Sequence, residues 1–251
     1  MYDRLIKLIG ETNYNKLKNK TVAVIGLGGV GGAVCECLAR SGIGKLIIVD
    51  FDTIDISNLN RQIITNKTNI GCKKTEEMRK RIELISETKI IILDTFLGED
   101  NLNDLFKYDI DYLIDACDSI KTKKALIKRC TEEKIPFISC MGTGNKLDPL
   151  KYEIVDIRKT SYDPIAKILR KYVKDMRITE RVMVLYSKEE AKKVTGSISS
   201  IAYMPTIAGN LCASYVIRKI LENDWYFYLF IFSKFSIIIF SLFSKVFSLG
   251  I

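Results

Sequence analysis

The sequence contains no histidine, only one tryptophan and only four prolines among its 251 residues. Without an imidazole, no site in this chain can use histidine as a general base, proton shuttle or metal ligand, which excludes several catalytic classes. Cysteine occurs seven times, but there is no Cys-x-x-Cys pair and most of the seven lie in apolar runs. This usage is typical of reduced cytoplasmic thiols and disfavours a disulfide framework or a zinc site.

The N-terminal stretch 1–20 has no apolar core of the kind found in secretory signals, and we expect the protein to be cytoplasmic. Of all residues 47% are hydrophobic, which is enough for one large domain or for a domain with a smaller appendage. The formal net charge is +9, and much of the surplus lies in residues 158–193, with eleven basic and five acidic side chains. This basic segment indicates either an anionic partner or a solvated helix face.

Short apolar runs alternate with helical patterns along the chain. Strands are predicted at 21–26, 45–50, 89–94, 111–116, 136–140, 152–157 and 182–186. Helices are predicted at 27–40, 73–86, 101–106, 121–134, 164–176 and 207–221. Continuous apolar strands alternating with helices favour an α/β fold of the Rossmann type, with a mostly parallel sheet, helices on both faces and extra strands in the second half.

We assign residues 1–224 to one domain and residues 225–251 to a hydrophobic tail of different composition. Lys234 and Lys245 interrupt the tail, so its uncharged stretches are too short to span a membrane as a helix. Eleven residues make about three helical turns, so both lysines would share one face of a helix. The tail is therefore predicted to be either a helix lying on a membrane surface or a disordered extension.

A glycine-rich turn follows the first predicted strand, and its glycines are Gly26, Gly28, Gly29 and Gly31. Glycines permit a tight turn and a close approach of phosphate, and the next helix offers unpaired N–H groups at its start. Asp50 ends the second predicted strand, 24 residues after Gly26, where an acid can reach ribose hydroxyls. The pattern predicts adenine-nucleotide binding, and an NAD-dependent dehydrogenase remains an alternative at this point.

Polar and cationic residues follow Asp50 in a pattern that distinguishes these alternatives. They are Asp52, Asn58, Arg61, Gln62 and Lys74. Hydride transfer has little need of an arginine and a lysine here. Cleavage of ATP between its α- and β-phosphates builds up negative charge that both cations can stabilise. We therefore predict an ATP site in which Arg61 and Lys74 are catalytic, although either one alone could be an ordinary exposed residue.

Asp118 follows the fourth predicted strand. Ligands of open α/β sheets lie at the carboxyl ends of the strands, so this carboxylate is expected to face the glycine turn. Its predicted role, both catalytic and metal-binding, is to hold Mg²⁺ against the phosphates. The alternative is a structural role as N-cap of the helix at 121–134.

Together these motifs resemble the adenylation domain of the ubiquitin-activating-enzyme-like superfamily, over about residues 1–142. The superfamily includes molybdopterin-synthase and thiamine sulfur-carrier adenylyltransferases. The resemblance implies ATP and Mg²⁺ as cofactors, with Asp50 on the ribose, Asn58, Arg61 and Lys74 on the phosphates, and Asp118 orienting Mg²⁺. It also implies a homodimer, because an N-terminal arginine, here Arg4, reaches the ATP of the neighbouring subunit.

The second half of the chain resembles the tRNA threonylcarbamoyladenosine dehydratase branch of that superfamily, over about residues 1–222. The motifs that carry this resemblance are residues 142–149, 156–160, Asp163-Pro164 and Gly196-Ser197, followed by Pro205 and Gly209. Enzymes of this branch adenylate the threonyl carboxylate of a modified adenosine that lies beside the anticodon of tRNA. The activated group then cyclises with loss of AMP. The basic segment would then bind tRNA, and a sulfur-relay or electron-transfer protein is a further expected partner.

One departure from that branch concerns cysteine. Some of its members have a proposed catalytic cysteine before the last helix, where residues 196–201 of this chain contain none. We therefore assign no cysteine nucleophile, since a nitrogen of the same substrate can attack the acyl adenylate. Cys140 is better explained as a core thiol than as a nucleophile.

Two other functions remain as alternatives. The first is an adenylyltransferase acting on the C-terminal glycine of a sulfur-carrier protein. Such an enzyme uses the same nucleotide site but normally carries a cysteine or zinc apparatus, which this sequence lacks. The second is a nucleotide-binding adaptor without catalysis, which the set Arg61, Lys74 and Asp118 disfavours.

Overall fold

The computed structural model describes residues 1–196 and 198–222. Its strands are β1 (Thr21–Ile25), β2 (Lys45–Val49), β3 (Lys89–Leu93), β4 (Tyr112–Asp115), β5 (Phe137–Cys140), β6 (Tyr152–Asp156) and β7 (Met183–Ser187). They form one sheet in the order β3-β2-β1-β4-β5-β7-β6. Neighbouring strands are parallel except β6 and β7, which are antiparallel. The mostly parallel α/β sheet with extra strands in the second half is thereby confirmed.

Helices cover both faces of this sheet. They are α1 (Asp3–Ile9), α2 (Glu11–Lys18), α3 (Gly29–Arg40), α4 (Lys74–Glu83), α5 (Leu102–Phe106), α6 (Ile120–Glu132), α7 (Pro164–Asp175) and α8 (residues 203–222). Buried side chains of α3, α4 and α8 form the core on one face. Those of α5, α6 and α7 form the core on the other. Every residue of β1 is buried, as expected for a central strand that is covered on both sides.

The N-terminal helices α1 and α2 lie where no helix is predicted. Neither has an apolar face that a sequence pattern could reveal, because α1 has no buried residue and α2 buries only Leu17. Amphipathic periodicity is the main sequence signal of a helix, and it is weak here. The predicted helix at 207–221 also begins earlier in the structure, at residue 203.

The hydrophobic tail 225–251, for which we expect either a membrane-surface helix or disorder, lies outside the described residues. Within residues 1–196 and 198–222, no helix is both long enough and apolar enough to cross a membrane.

Candidate active site

A cleft of about 290 Å³ opens at the carboxyl edge of the sheet, where the loops after β1, β2, β3 and β4 meet. Its lining includes most of the residues that the sequence predicts for the nucleotide site: Gly26, Gly28, Gly29, Asp50, Asp52, Asn58, Arg61, Gln62, Lys74 and Asp118. Two predicted residues lie elsewhere. Gly31 packs beneath the turn, and Arg4 is an exposed residue of α1. The fold therefore brings together predicted residues that are up to 92 positions apart, from Gly26 to Asp118.

The glycine turn is shaped by close backbone contacts. Gly26 has φ of +87°, and a Cβ there would lie 3.0 Å from the carbonyl oxygen of Ala116. A Cβ at Gly31 would lie only 1.7 Å from the carbonyl oxygen of Gly26. Gly31 therefore lets α3 start directly against the turn, and α3 begins without a side-chain cap. Uncapped N–H groups at a helix start provide a site for phosphate.

Asp50 connects the glycine turn to the end of β2. Its Oδ2 accepts a hydrogen bond from the backbone N–H of Leu27 at 2.6 Å, and its Oδ1 accepts one from Asp52 N at 2.8 Å. Each oxygen of an ionised carboxylate has a second lone pair, so both can still accept a ribose hydroxyl. Asp50 thus orients the turn, a role that the sequence does not reveal, and remains suited to ribose.

The two cations of the cleft are held in different ways. Lys74 is the first residue of α4, and its nearly buried side chain places Nζ 2.7 Å from Asp52 Oδ2. Arg61 is more exposed, and its Nη1 donates to Ser57 O at 2.8 Å and to Asn60 Oδ1 at 2.9 Å. Those bonds fix the guanidinium at the cleft and leave Nη2 and Nε for an anion. Both cations therefore line the same cleft as the glycine turn.

Two amide side chains line the cleft beside these cations. Asn58 belongs to a short 3₁₀ turn (Ile56–Asn58), where its Oδ1 accepts from the backbone N–H of Asp55 at 3.1 Å. Gln62 is buried, yet its Oε1 has no hydrogen-bond partner among the described residues. A buried amide oxygen left without a donor is unfavourable by about 1–3 kcal/mol. We therefore expect water or a ligand hydroxyl to bind at Gln62.

Asp118 does not cap helix α6. The N-cap is Ser119, whose Oγ accepts from Thr122 N at 3.2 Å, so the alternative role predicted for Asp118 is wrong. In the described chain the exposed Asp118 carboxylate makes no hydrogen bond or ion pair, although it lines the cleft. One carboxylate together with substrate phosphates is the usual protein ligand set of Mg²⁺, so the residues present fit this ion.

Two aromatic residues at the cleft were not anticipated from the sequence. Phe51 and Phe96 meet edge to face, with ring centroids 5.1 Å apart and an angle of 79° between the planes. Each is about half exposed, at 50% and 48%. Phe51 directly follows Asp50, and Phe96 follows the end of β3. Their position beside strand ends is the sequence feature that could have identified them as cleft residues. They form an apolar rim against which a flat base can pack.

A buried polar network supports the loop that carries Asp118. Lys123 Nζ lies 3.0 Å from Asp115 Oδ2 and donates to Cys140 O at 2.8 Å, and Ser139 Oγ donates to the same Asp115 oxygen at 2.6 Å. Burial lowers the pKa of Lys123, but the interactions with Asp115, Cys117 and Cys140 together outweigh burial and leave that pKa above its ordinary value. Lys123 therefore remains charged and links α6 to β4 and β5.

The cysteines near the cleft are poor nucleophiles. Cys117 lines the cleft, but its Sγ donates to Asp115 Oδ1 at 3.1 Å, and burial raises the pKa of this thiol far above its ordinary value. Cys140 is 4% exposed and belongs to the core packed against α8. Its placement agrees with the expected core thiol. Nucleophilic attack requires the thiolate, which burial suppresses at Cys117.

The basic segment 158–193 contains two kinds of cation. Arg158 pairs with Asp156, Arg170 donates to Thr160 O at 2.9 Å, and Lys188 pairs with Glu153. The side chains of Lys167, Lys171 and Lys174 on α7 are exposed and have no hydrogen-bonding or ionic partner in the described chain. Five further exposed cations of the segment, outside α7, also have no such side-chain partner among the described residues: Lys159, Arg177, Arg181, Lys192 and Lys193. The charge available to an outside partner therefore includes, but is not confined to, the lysines of α7.

A strap (residues 188–196 and 198–201) crosses the loop that follows β5. The carboxylate of Glu189 accepts from Leu147 N and Asp148 N, and Ser199 N donates to Asn145 Oδ1 at 2.8 Å. At its far end, Ser200 O accepts from Asn60 Nδ2 at 3.0 Å. The strap thus contacts both the loop after β5 and the segment that carries Arg61.

Comparison with known proteins agrees with this geometry. The chain is 38% identical over 234 residues to the tRNA threonylcarbamoyladenosine dehydratase of Bacillus subtilis, covering 86% of this chain and 92% of the relative. It is 41% identical over 167 residues to the enzyme of the same name from Haemophilus influenzae, covering 66% of this chain and 64% of the relative. A crystal structure of the Escherichia coli tRNA N6-threonylcarbamoyladenosine dehydratase in complex with ATP matches with a TM-score of 0.84. That match has 30% identity and covers 89% of this chain and 94% of that one.

A sequence model described as the ThiF family matches residues 2–241. That range contains every residue of the cleft and nearly the whole chain. The chain therefore belongs to the ThiF family.

Proposed function

We propose that this protein is an ATP-dependent tRNA threonylcarbamoyladenosine dehydratase. The observation that carries the proposal is the single cleft in which a glycine turn, Arg61, Lys74 and Asp118 converge, in a chain whose relatives bear that name. The threonyl carboxylate of the modified adenosine attacks the α-phosphate of ATP, and pyrophosphate leaves. The resulting acyl adenylate then cyclises and releases AMP.

Different residues of the cleft have different roles in the first step, the adenylation. The N–H groups at the start of α3 and the cations of Arg61 and Lys74 stabilise the charge that builds up on the phosphoryl oxygens and on pyrophosphate. Asp50 binds the ribose, and the rim of Phe51 and Phe96 holds the base. When bound at Asp118, Mg²⁺ would neutralise further phosphate charge.

The second step needs no cysteine. Cys117 is the thiol of the cleft wall, and its raised pKa keeps it protonated at neutral pH. A nitrogen of the threonylcarbamoyl group lies within the same substrate and attacks the activated carbonyl, with loss of its proton and departure of AMP. Proximity within one molecule provides the effective concentration for this attack.

The RNA is proposed to dock on α7. Its lysines at positions 167, 171 and 174 are exposed, which suits contacts to a phosphate backbone. We further propose a homodimer that acts in the cytoplasm, in which Arg4 reaches the ATP bound by the neighbouring subunit. A sulfur-relay or electron-transfer protein remains a proposed partner.

The function is tested by incubating the protein with ATP, Mg²⁺ and tRNA that bears threonylcarbamoyladenosine, followed by mass analysis of the nucleosides. We expect the modified nucleoside to lose the mass of one water, with AMP formed in equal amount. A small sulfur-carrier protein is supplied in a parallel reaction as the competing substrate. Adenylation of that protein with no change in the tRNA would reject the proposal in favour of the alternative enzyme.

The docking surface is tested by reversing Lys167 and Lys171 to Glu together. Loss of two phosphate contacts should weaken tRNA binding and reduce the slope of log Kd against log salt by roughly one per lysine. Lys18 and Lys128 lie exposed on other helices, and their side chains have no ionic partner among the described residues. The double variant Lys18→Glu with Lys128→Glu therefore has the same charge change and serves as the control. Equal losses in both double variants would show that only net charge matters.

A further inference from the structure

Tyr162 occupies a backbone conformation that is unusual for a tyrosine. Its φ is +56°, and the flanking residues close a three-residue turn, because Asp163 N donates to Ser161 O at 2.7 Å. A γ-turn with positive φ at its centre is the rarer and more strained kind. Lys134 and Arg177 also have positive φ, but each follows the end of a helix, where this conformation is common. A bulky residue at the centre of such a turn is an outlier.

The turn is fixed on both sides by the fold. On one side, the guanidinium of Arg170 donates to the backbone oxygen and to Oγ1 of Thr160. On the other side, the buried carboxylate of Asp163 accepts from Ala166 N at 2.9 Å and lies 3.3 Å from Lys146 Nζ. These bonds hold the strained conformation in place, and strained residues of this kind cluster at functional sites.

The side chain of Tyr162 points away from the fold. It is 74% exposed, and within the described residues it makes no hydrogen bond or ring contact. The strain is therefore not explained by packing of the ring in the described structure. Replacing Tyr162 with glycine would relieve the strain without removing any contact of the described structure. The feature that needs an explanation is therefore the exposed ring.

The position of Tyr162 relates it to the active site and to the cationic helix. Lys146, which pairs with Asp163, also donates to Gly142 O at 2.9 Å in the loop that leaves β5. β5 pairs in parallel with β4, so this loop and the loop carrying Asp118 leave the same edge of the sheet. Lys167 and Lys171 follow on the exposed surface of α7. Tyr162 thus lies in the segment that leads into the cationic helix α7, and this segment is connected through Asp163 and Lys146 to the loop after β5.

We propose that Tyr162 is a stacking platform for an unpaired base of the RNA substrate, next to the adenosine that is modified. An exposed aromatic ring beside cations is the usual arrangement for single-stranded RNA, in which bases stack on the ring while the cations meet phosphates. The rigid turn holds the ring ready for stacking before the RNA arrives, which reduces the entropy lost on binding. This proposal rests on the proposed function, since it names a contact of the same RNA.

Three full-length variants separate stacking from structure. In Tyr162→Phe the ring remains, and tRNA affinity should stay within about twofold of the wild type. In Tyr162→Leu the ring is lost, and Kd for tRNA should rise by roughly 5- to 150-fold, the range for loss of one base–aromatic stack. In Tyr162→Gly the affinity should fall similarly while the unfolding temperature rises, because the strain is relieved. The affinity for ATP should not change in any of them.

Stacking itself is read from a tRNA anticodon loop with 2-aminopurine beside the modified adenosine. Its fluorescence should be quenched by the wild type and by Tyr162→Phe but not by Tyr162→Leu. The proposal is overturned if Tyr162→Leu binds RNA and quenches like the wild type. It is also overturned if Tyr162→Leu and Tyr162→Gly both lower the unfolding temperature of the RNA-free protein, because the ring would then pack against the protein.

These outcomes are distinct from failure of the proposed function. A wild type that binds tRNA without dehydrating it rejects the function and leaves the stacking measurement valid. If Tyr162→Leu dehydrates tRNA as fast as the wild type does, only the role of Tyr162 is rejected. A wild type that binds no tRNA rejects both.

Discussion

At the scale of the residue, Arg61 is held at the cleft through one end of its guanidinium. Nη1 is bonded to Ser57 O and Asn60 Oδ1, so the opposite side of the group can meet a phosphate without reorganisation. Groups fixed in this way before the reaction contribute most to stabilising a charged transition state.

Arg61→Ala should therefore slow adenylation by roughly 10²- to 10³-fold, the usual effect of removing one fixed donor to the transition state. The rate is measured as AMP formation with ATP and the modified tRNA. Arg79→Ala is the matched control, because among the described residues Arg79 pairs with Glu76 and Glu83 alone, on the surface of α4. Near-normal turnover of Arg61→Ala would mean that the phosphates bind elsewhere.

Lys123 offers a second prediction at this scale, for stability. Lys123→Met leaves the Asp115 carboxylate buried without its cation, which should lower the free energy of unfolding by about 3–5 kcal/mol. The double variant Lys123→Met with Asp115→Asn should recover much of that loss, since no charge is then buried. Urea titration measures both, with Lys128→Met on the exposed side of α6 as control. If single and double variants were equally unstable, the pair would act through packing alone.

The roles of some residues can be predicted from the sequence around them, and the roles of others cannot. Gly26, Asp50 and Lys74 could be assigned because spacing along strand, turn and helix fixes where such residues lie. Asp118 had two roles compatible with local sequence, and the cap by Ser119 excludes the structural one. The partnership of Lys123 with Asp115 and Ser139 depends on side-chain packing across three elements, which one sequence does not encode locally.

At the scale of the element, Glu36 joins two helices beside the cleft. It lies on α3 and forms ion pairs with Arg40 of the same helix and with Arg81 of α4. Burial raises the pKa of Glu36, but hydrogen bonds and charge from Arg81 and Arg40 outweigh burial and lower it below the ordinary value. The folded state therefore binds a proton at Glu36 less readily than the unfolded state does.

This lowered pKa predicts a pH dependence. The stabilisation by Glu36 is fully present above its ordinary pKa and is lost as the pH falls through the lowered folded value. Glu36→Gln should reduce stability at pH 7 and give a flatter loss of stability below about pH 5. Urea midpoints between pH 3 and 7 provide the measurement, with Glu83→Gln at the surface of α4 as control. Parallel curves for wild type and Glu36→Gln would contradict the ion-pair account.

The strands could be predicted because they are apolar runs, whereas helices with little buried surface could not. Each strand predicted from an apolar run is present within one residue of its predicted bounds. The central strands are continuously apolar because both of their faces are covered, whereas the edge strands β3 and β6 contain no fully buried residue. The helices α1 and α2 were missed because they bury almost nothing. The 3₁₀ turn at Ile56–Asn58 depends on hydrogen bonds between Asp55 and Asn58, a local signal too short to distinguish from an ordinary loop.

At the scale of the whole molecule, the proposed homodimer would complete each cleft with Arg4 from the other subunit. Mixed dimers test this directly. Arg4→Ala and Arg61→Ala should each be nearly inactive alone, but a hybrid dimer contains one cleft with both arginines intact. Statistical exchange makes half of the dimers hybrids, so the mixture should regain about a quarter of wild-type activity. Activity equal to the mean of the separate variants would contradict the shared site.

The family and the sheet could be predicted from sequence because specific motifs lie at strand ends over the first 142 residues. The region proposed to bind RNA could not be predicted in the same way. It depends on how the loop after β5, α7 and the strap pack on one another, through contacts such as Asn145 with Ser199 that connect residues 54 positions apart. Long-range packing of irregular segments has no periodic sequence signal.

The strap connects the cleft proposed for ATP with the loop after β5, since Ser200 O accepts a hydrogen bond from Asn60 Nδ2 and Ser199 N donates one to Asn145 Oδ1. We expect a shift of either segment on ligand binding to affect the other through these two hydrogen bonds. Under that linkage, any factor by which ATP changes the affinity for RNA is also the factor by which RNA changes the affinity for ATP. Positive coupling of this kind would make the protein hold ATP more tightly while its RNA substrate is bound.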